Sequence, residues 1–269
     1  LTFAVIAISQ PTKSLVDNSP LRTCNMAELP KTLEDAIAQS REATQAALAD
    51  GCKRLQIDFL FPELKILPVA EQFLPVFAEY DSRLKVFFAD AGGAALARRD
   101  WADAPFSIAD IGTGRAASLQ SKIQPEDEIF LFIAPTSVEV PQLEKLCQEI
   151  GDRPVVFLNP RLEDSGVVGI GYTARETRRR FINTIESCYY LRPVDDETAV
   201  FRSYPGQWEV WVETNDEYQR IAELPKRPSG DELDILLLQG QPQTATDATP
   251  AKKPSLFKGL QRFLKALSS

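Results

Sequence analysis

The residues of this chain whose types and spacing most invite chemistry are Asp110-Ile-Gly112-Thr-Gly114-Arg-Ala-Ala117. The glycines follow G-x-G-x-x-A, a pattern that lets a backbone approach a dinucleotide cofactor closely at a helix N-terminus. Asp110, Gly112 and Gly114 would then be the cofactor-binding residues. Context opposes this. At least two strands precede the motif, which in dinucleotide-binding folds sits on the first. The strand that follows, Glu128–Ala134, ends in Ala-Pro and supplies no acid for a ribose. The plainer reading of the glycines is a strand-to-loop turn at positive φ, and no cofactor is expected.

The rest of the inventory mostly excludes. With no histidine among 269 residues, a Ser–His–Asp or Cys–His arrangement and a His-containing zinc site are out of reach. Cys24, Cys52, Cys147 and Cys188 form no C-x-x-C; they read as reduced thiols, Cys147 and Cys188 as small core hydrophobes. No phosphate-binding G-x-x-x-x-G-K-[ST] is present. Asp90-Ala-Gly-Gly reads as a loop after a strand, where α/β sheets often place ligands. Glu126-Asp-Glu128 and Asp195-Asp-Glu197 lack metal-loop spacing and read as solvated turns.

Two groups fit recognition better than catalysis. Arg175, Arg178, Arg179 and Arg180 share a predicted helix and offer a positive face to phosphate, an acidic partner or a lipid head group. Pairing with Glu176 and Glu186 would make them a solvated face instead. Trp208 and Trp211, three apart on a predicted strand, face opposite sides, one toward the core and one available at an interface. Arg175, Arg178, Arg179, Trp208 and Trp211 are the candidate partner-binding residues.

Charge is unevenly spread. The net charge is −8, yet residues 251–269 hold five basic residues and no acid, which leaves −13 for residues 1–250. An acidic body argues against nucleic acid as a partner. On a helical wheel Leu256, Phe257, Leu260, Phe263, Leu264 and Leu267 share an arc of about 120°, with Lys258, Arg262 and Lys265 opposite. Such a basic amphipathic helix can lie in an anionic membrane interface. Docking on a partner or on its own domain is the competing reading. Residues 239–254, polar and Pro-rich, read as a flexible linker.

Four regions follow. Residues 1–25 precede the sole Met, Met26, and are expected to be a disordered extension. Residues 26–238 read as a single α/β domain, followed by the linker 239–254 and the helix 255–269. Within the domain, a capping box at Thr32/Asp35 opens a helix that Gly51 stops. Strands are predicted at Arg54–Phe61, Leu84–Ala89, Ser107–Ile111, Glu128–Ala134 and Pro154–Leu158, alternating with helices at Val69–Tyr80 (interrupted or bent near Pro75), Ala94–Trp101, Ala116–Lys122 and Val140–Ile150. Short strands apolar on both faces imply a mostly parallel sheet covered by helices on both sides. Then come a helix at Thr173–Ser187 and strands at Tyr189–Val194, Thr198–Tyr204 and Gln207–Glu213, with Pro205-Gly206 as a tight turn. These form an antiparallel extension, closed by helices at Glu217–Glu223 and Gly230–Leu238.

Three stretches carry a family resemblance: Asn159-Pro160-Arg161-Leu162, Ser187-Cys-Tyr-Tyr-Leu-Arg-Pro193 and Tyr204-Pro-Gly-Gln-Trp-Glu-Val-Trp211. They resemble a domain of unknown function of cyanobacteria and plastids. That family includes the Low PSII Accumulation 3 type proteins and a domain attached to a plastid adenylate kinase. The resemblance spans about residues 28–238, lacks the kinase P-loop and carries over no catalytic residue. It implies a non-enzymatic accessory factor at the cytoplasmic face of the thylakoid. Photosystem II subunits or assembly factors, including the inner antenna CP43, would be partners, and an anionic membrane would be reached through the tail. The absence of a transit peptide points to a cyanobacterial member. The alternative is an S-adenosylmethionine-dependent methyltransferase-like enzyme, since Asp110–Gly114 also resembles the Asp-x-Gly-x-Gly turn of that class.

Overall fold

Leu33–Ala49 folds as helix α1 because both ends are locally specified. The Thr32 hydroxyl accepts from the Asp35 N–H, and the Asp35 carboxylate reaches back to the Thr32 N–H. Gly51, at φ +83°, turns the chain out of the helix. The computed structural model to which α1 belongs describes residues 28–112, 119–163, 172–214 and 217–240. The expected extension 1–25, most of the linker and the helix 255–269 lie outside these residues, as does Gly114.

The parallel region holds β1 (Arg54–Phe59), α2 (Ile66–Phe73), β2 (Leu84–Phe88), α3 (Ala91–Asp100), β3 (Ser107–Asp110), β4 (Ile129–Ile133), α4 (Val140–Glu149) and β5 (Val155–Leu158). Then come α5 (Tyr172–Arg180), β6 (Glu186–Pro193), β7 (Thr198–Ser203), β8 (Trp208–Thr214), β9 (Glu217–Leu224) and α6 (Gly230–Gly240). Among the described residues the nine strands make one sheet in the order β3-β2-β4-β5-β1-β6-β7-β8-β9. From β3 to β6 every pairing is parallel; from β6 to β9 every pairing is antiparallel. The expected fold class is therefore observed: a mostly parallel sheet, helices on both faces and an antiparallel extension.

Alternation along the strands sets the layers. Val86, Leu131 and Val156 point to one core with α1, α2 and α3. Phe87, Phe132 and Phe157 point to the other, under α4. Phe87 and Phe132 stack at 4.9 Å between ring centroids. A third cluster, on the same side as α4, seats Leu233 of α6 against Tyr190, Val200, Trp208 and Val210.

Several boundaries differ from expectation. Glu217–Leu224 is a strand, not a helix: E-Y-Q-R-I-A-E-L contains good helix formers, yet β8 offers it a ladder from Trp208↔Leu224 to Thr214↔Glu217, and tertiary pairing overrides local propensity. The helix expected over Thr173–Ser187 ends at Arg180; Phe181 leaves helical geometry, a 3-10 turn covers Ile182–Thr184, and Ser187 belongs to β6. Asp90-Ala-Gly-Gly is not an open loop. Asp90 caps α3 by accepting the Gly93 N–H at 2.8 Å, and a Cβ on Gly92 would sit 3.0 Å from that carboxylate. The interruption expected near Pro75 is observed: α2 ends at Phe73, and a 3-10 turn with Pro75 in its first two positions covers Leu74–Phe77.

A cleft at the carboxyl end of the central strands

β1 and β5 are neighbours whose chains leave the sheet in opposite directions. β1 leads to α2 on the first face, whereas β5 leads toward Phe181 in the core of the other. Parting chains leave a crevice beyond the strand ends, the usual ligand position in open α/β sheets. Here it is a cleft of about 760 Å³. Phe59–Leu64 and Ile66 line it from β1, Ala134 and Thr136 from β4, Asn159 and Arg161 from β5, and Pro193–Asp196 from β6.

Asn159 creates the opening. Its side chain takes the place of a strand: Oδ1 accepts the Phe59 N–H at 2.7 Å, and Nδ2 donates to the Phe59 carbonyl at 2.9 Å. Its own N–H donates to the Ile57 carbonyl at 2.7 Å. This needs φ +47°, a conformation asparagine tolerates better than most residues. Ala134, at φ +50° and also followed by proline, ends β4 in the same way. Beyond the two prolines the chains meet again at a Thr136↔Arg161 bridge, with the Arg161 N–H on the Pro135 carbonyl at 2.7 Å. Glu63, at φ +60°, lies on the opposite wall. Left-handed backbone outside glycine costs on the order of 1–2 kcal/mol per residue, and three such residues frame this one cleft.

Two more polar side chains of the lining are engaged. Thr136 donates its hydroxyl and N–H to Glu139, at 2.6 and 2.7 Å. Asp195 accepts the N–H groups of Glu197 and Thr198, at 2.8 and 2.7 Å. The apolar floor is Phe59, Phe61, Leu64 and Ile66, with Leu60 at 37% exposure on the rim. One residue below Phe59, Asp58 points away from α2 and pairs in register with Tyr190, over which Arg227 lies at 5.7 Å. Burial drives the Asp58 carboxyl up from 3.8 to about 7, against a hydrogen bond from Gln56 and the charge of Arg227.

The residues singled out from sequence are placed elsewhere. Asp110 ends the edge strand β3 with its carboxylate 3.1 Å from Lys122 Nζ, a contact that lowers its pKa. Gly112 has φ +89°. In α5 Arg178 pairs with Glu163 at 2.7 Å and Arg179 with Glu176 at 2.8 Å. Arg180 grips Glu144 of α4 with two nitrogens, and Arg175 is exposed. Glu186 pairs with Arg202 at 2.6 Å. Trp208 is core, with Arg202 over its ring at 5.5 Å. Trp211 is half-buried on the other face and donates its indole N–H to Glu209 at 2.8 Å. Cys147 and Cys188 are buried; burial pushes the Cys188 thiol up to about 12.

Sequence reading did not find the cleft. One signal was present in Ala134-Pro and Asn159-Pro, two strand ends closed by the same pair of steps. No helix of the described residues is long and apolar enough to cross a membrane. A family model, Domain of unknown function (DUF1995), matches residues 30–235, and the chain belongs to that family.

Proposed function

We propose that this member of the family is a non-enzymatic accessory factor held peripherally at an anionic membrane surface. Its place is the cytoplasmic face of the thylakoid, in photosystem II biogenesis. The supporting observation is the state of the cleft. It sits where an α/β enzyme would keep its reactive groups, yet Asn159, Thr136 and Asp195 spend their polar atoms on their own backbone and turns. What remains is an apolar recess with charge at its mouth, suited to holding a partner rather than transforming a substrate. Arg175 on α5 is an exposed cation open to a partner. The finer placement rests on the likeness of the Asn159–Leu162, Ser187–Pro193 and Tyr204–Trp211 stretches to the Low PSII Accumulation 3 type proteins. The tail 255–269 supplies the tether.

The test is affinity capture from solubilised thylakoids with the full chain as bait, next to flotation on vesicles containing phosphatidylglycerol. The expected result is recovery of CP43 or another photosystem II subunit or assembly factor, and flotation lost on removal of residues 251–269. Capture free of any such protein sinks the photosystem assignment. Equal flotation of both forms sinks the tether.

A further inference from the structure

The same chain carries a segment whose chemistry matches the cleft. Its lining carries three carboxylates, Glu63, Asp195 and Asp196, against one cation, Arg161. Its floor is apolar, and the body around it is acidic. The complement is an apolar surface on a segment of positive net charge. Residues 255–269 have that character: Leu256, Phe257, Leu260, Phe263, Leu264 and Leu267 on one arc, with Lys258, Arg262 and Lys265 opposite.

The anchor of this segment is also well placed. Leu233, Leu236 and Leu237 of α6 pack on the same cluster as Val194, and Val194 lines the cleft. The chain therefore leaves Gly240 from a helix packed beside one wall. Residues 241–254 span at most about 48 Å and on average about 20 Å at their composition. A connection of that length gives an effective concentration on the order of 1 mM, so a seat with an intrinsic Kd of about 0.1 mM is filled roughly ten to one.

We propose that residues 255–269 seat their apolar face in this cleft when no membrane is at hand, so that cleft and membrane compete for one segment. Half of this rests on the tether reading above. Membrane arrival then uncovers the cleft, and the factor accepts its partner only where the partner is. By the same arithmetic, seating weakens apparent membrane affinity about tenfold.

Zero-length carbodiimide coupling of the full chain at low concentration, read by mass spectrometry, tests the seat with native groups. At least one of Lys252, Lys253, Lys258 and Lys265 is expected to couple to Glu63, Asp195 or Asp196 within one monomer. Vesicles containing phosphatidylglycerol are expected to deplete these products at least fivefold. Leu60→Asn, which spoils the apolar rim and leaves every carboxylate in place, is expected to deplete them about as far and to tighten vesicle binding up to about tenfold. Absence of these products, coupling only to other carboxylates or only between chains, or measurable vesicle binding that Leu60→Asn leaves unchanged overturns the proposal. Products that persist because the chain binds no vesicle leave the seat standing and sink the tether alone.

Discussion

Asp58 occupies the middle of the sheet at 2% exposure, and Gln56 Nε2 donates a hydrogen bond to it at 2.6 Å. Its folded-state pKa lies above its ordinary value, so the folded protein binds a proton more tightly than the unfolded chain. That contribution is fully present below about pH 4 and is lost as pH rises through about 7. The span from 3.8 to about 7 corresponds to roughly 4 kcal/mol. Urea melts of wild type and Asp58→Asn across pH 4–7 should therefore differ in slope, the variant gaining relative stability toward neutral pH. Parallel curves would show that Asp58 does not titrate there. Asn159 makes a second prediction. Asn159→Ala strips both partners from the Phe59 backbone and keeps the left-handed φ, at a cost of about 2–4 kcal/mol. Asn159→Gly loses the same hydrogen bonds without the backbone strain and should be about 1 kcal/mol less damaging. Equal losses in both would show that the strain is not real.

At the scale of elements, the β7–β8 hairpin closes so tightly that a Cβ on Gly206 would lie 2.8 Å from the Ser203 carbonyl oxygen. Gly206→Ala should cost about 1–3 kcal/mol, seen as a lower Tm, while Gly230→Ala, with open space at its Cβ, should leave Tm unchanged. Much at this scale was legible in the sequence. Apolar runs such as Ile129–Ile133 and the Thr32/Asp35 box carry their structure in adjacent residues. β9 was not legible, because its strand identity comes from β8 across the turn. Nor was the end of α5, where Phe181 abandons the helix to reach Phe157 in the core, at 6.5 Å between ring centroids. The cleft lay furthest out of reach. Its walls come from residues 59–66, 134–136, 159–161 and 193–196, and only the order of strands brings them together. The Asp110–Gly114 spacing is conspicuous because it is local, yet Asp110 ends an edge strand away from the switch between β1 and β5.

For the whole molecule, charge sets the terms on which the proposed tether would approach a membrane. A body of −13 is repelled by an anionic surface to which five basic residues of the tail are drawn. Raising NaCl from about 0.05 to about 0.5 M screens the attraction and should weaken vesicle binding by roughly tenfold or more; salt-independent flotation would assign the binding to apolar burial alone. The strand order has a consequence of another kind. β1 is made early, but its two neighbours in the sheet are β5 and β6, through pairs such as Ile57↔Leu158 and Phe59↔Leu191. Both of its edges stay bare until those residues leave the ribosome, some 100 residues and more after β1 itself. Parallel pairing across such separations is slow, and bare apolar edges invite the wrong partner. Birth is therefore the hazardous part of this protein's life: a chain that stops short of β6 leaves an edge of β1 bare.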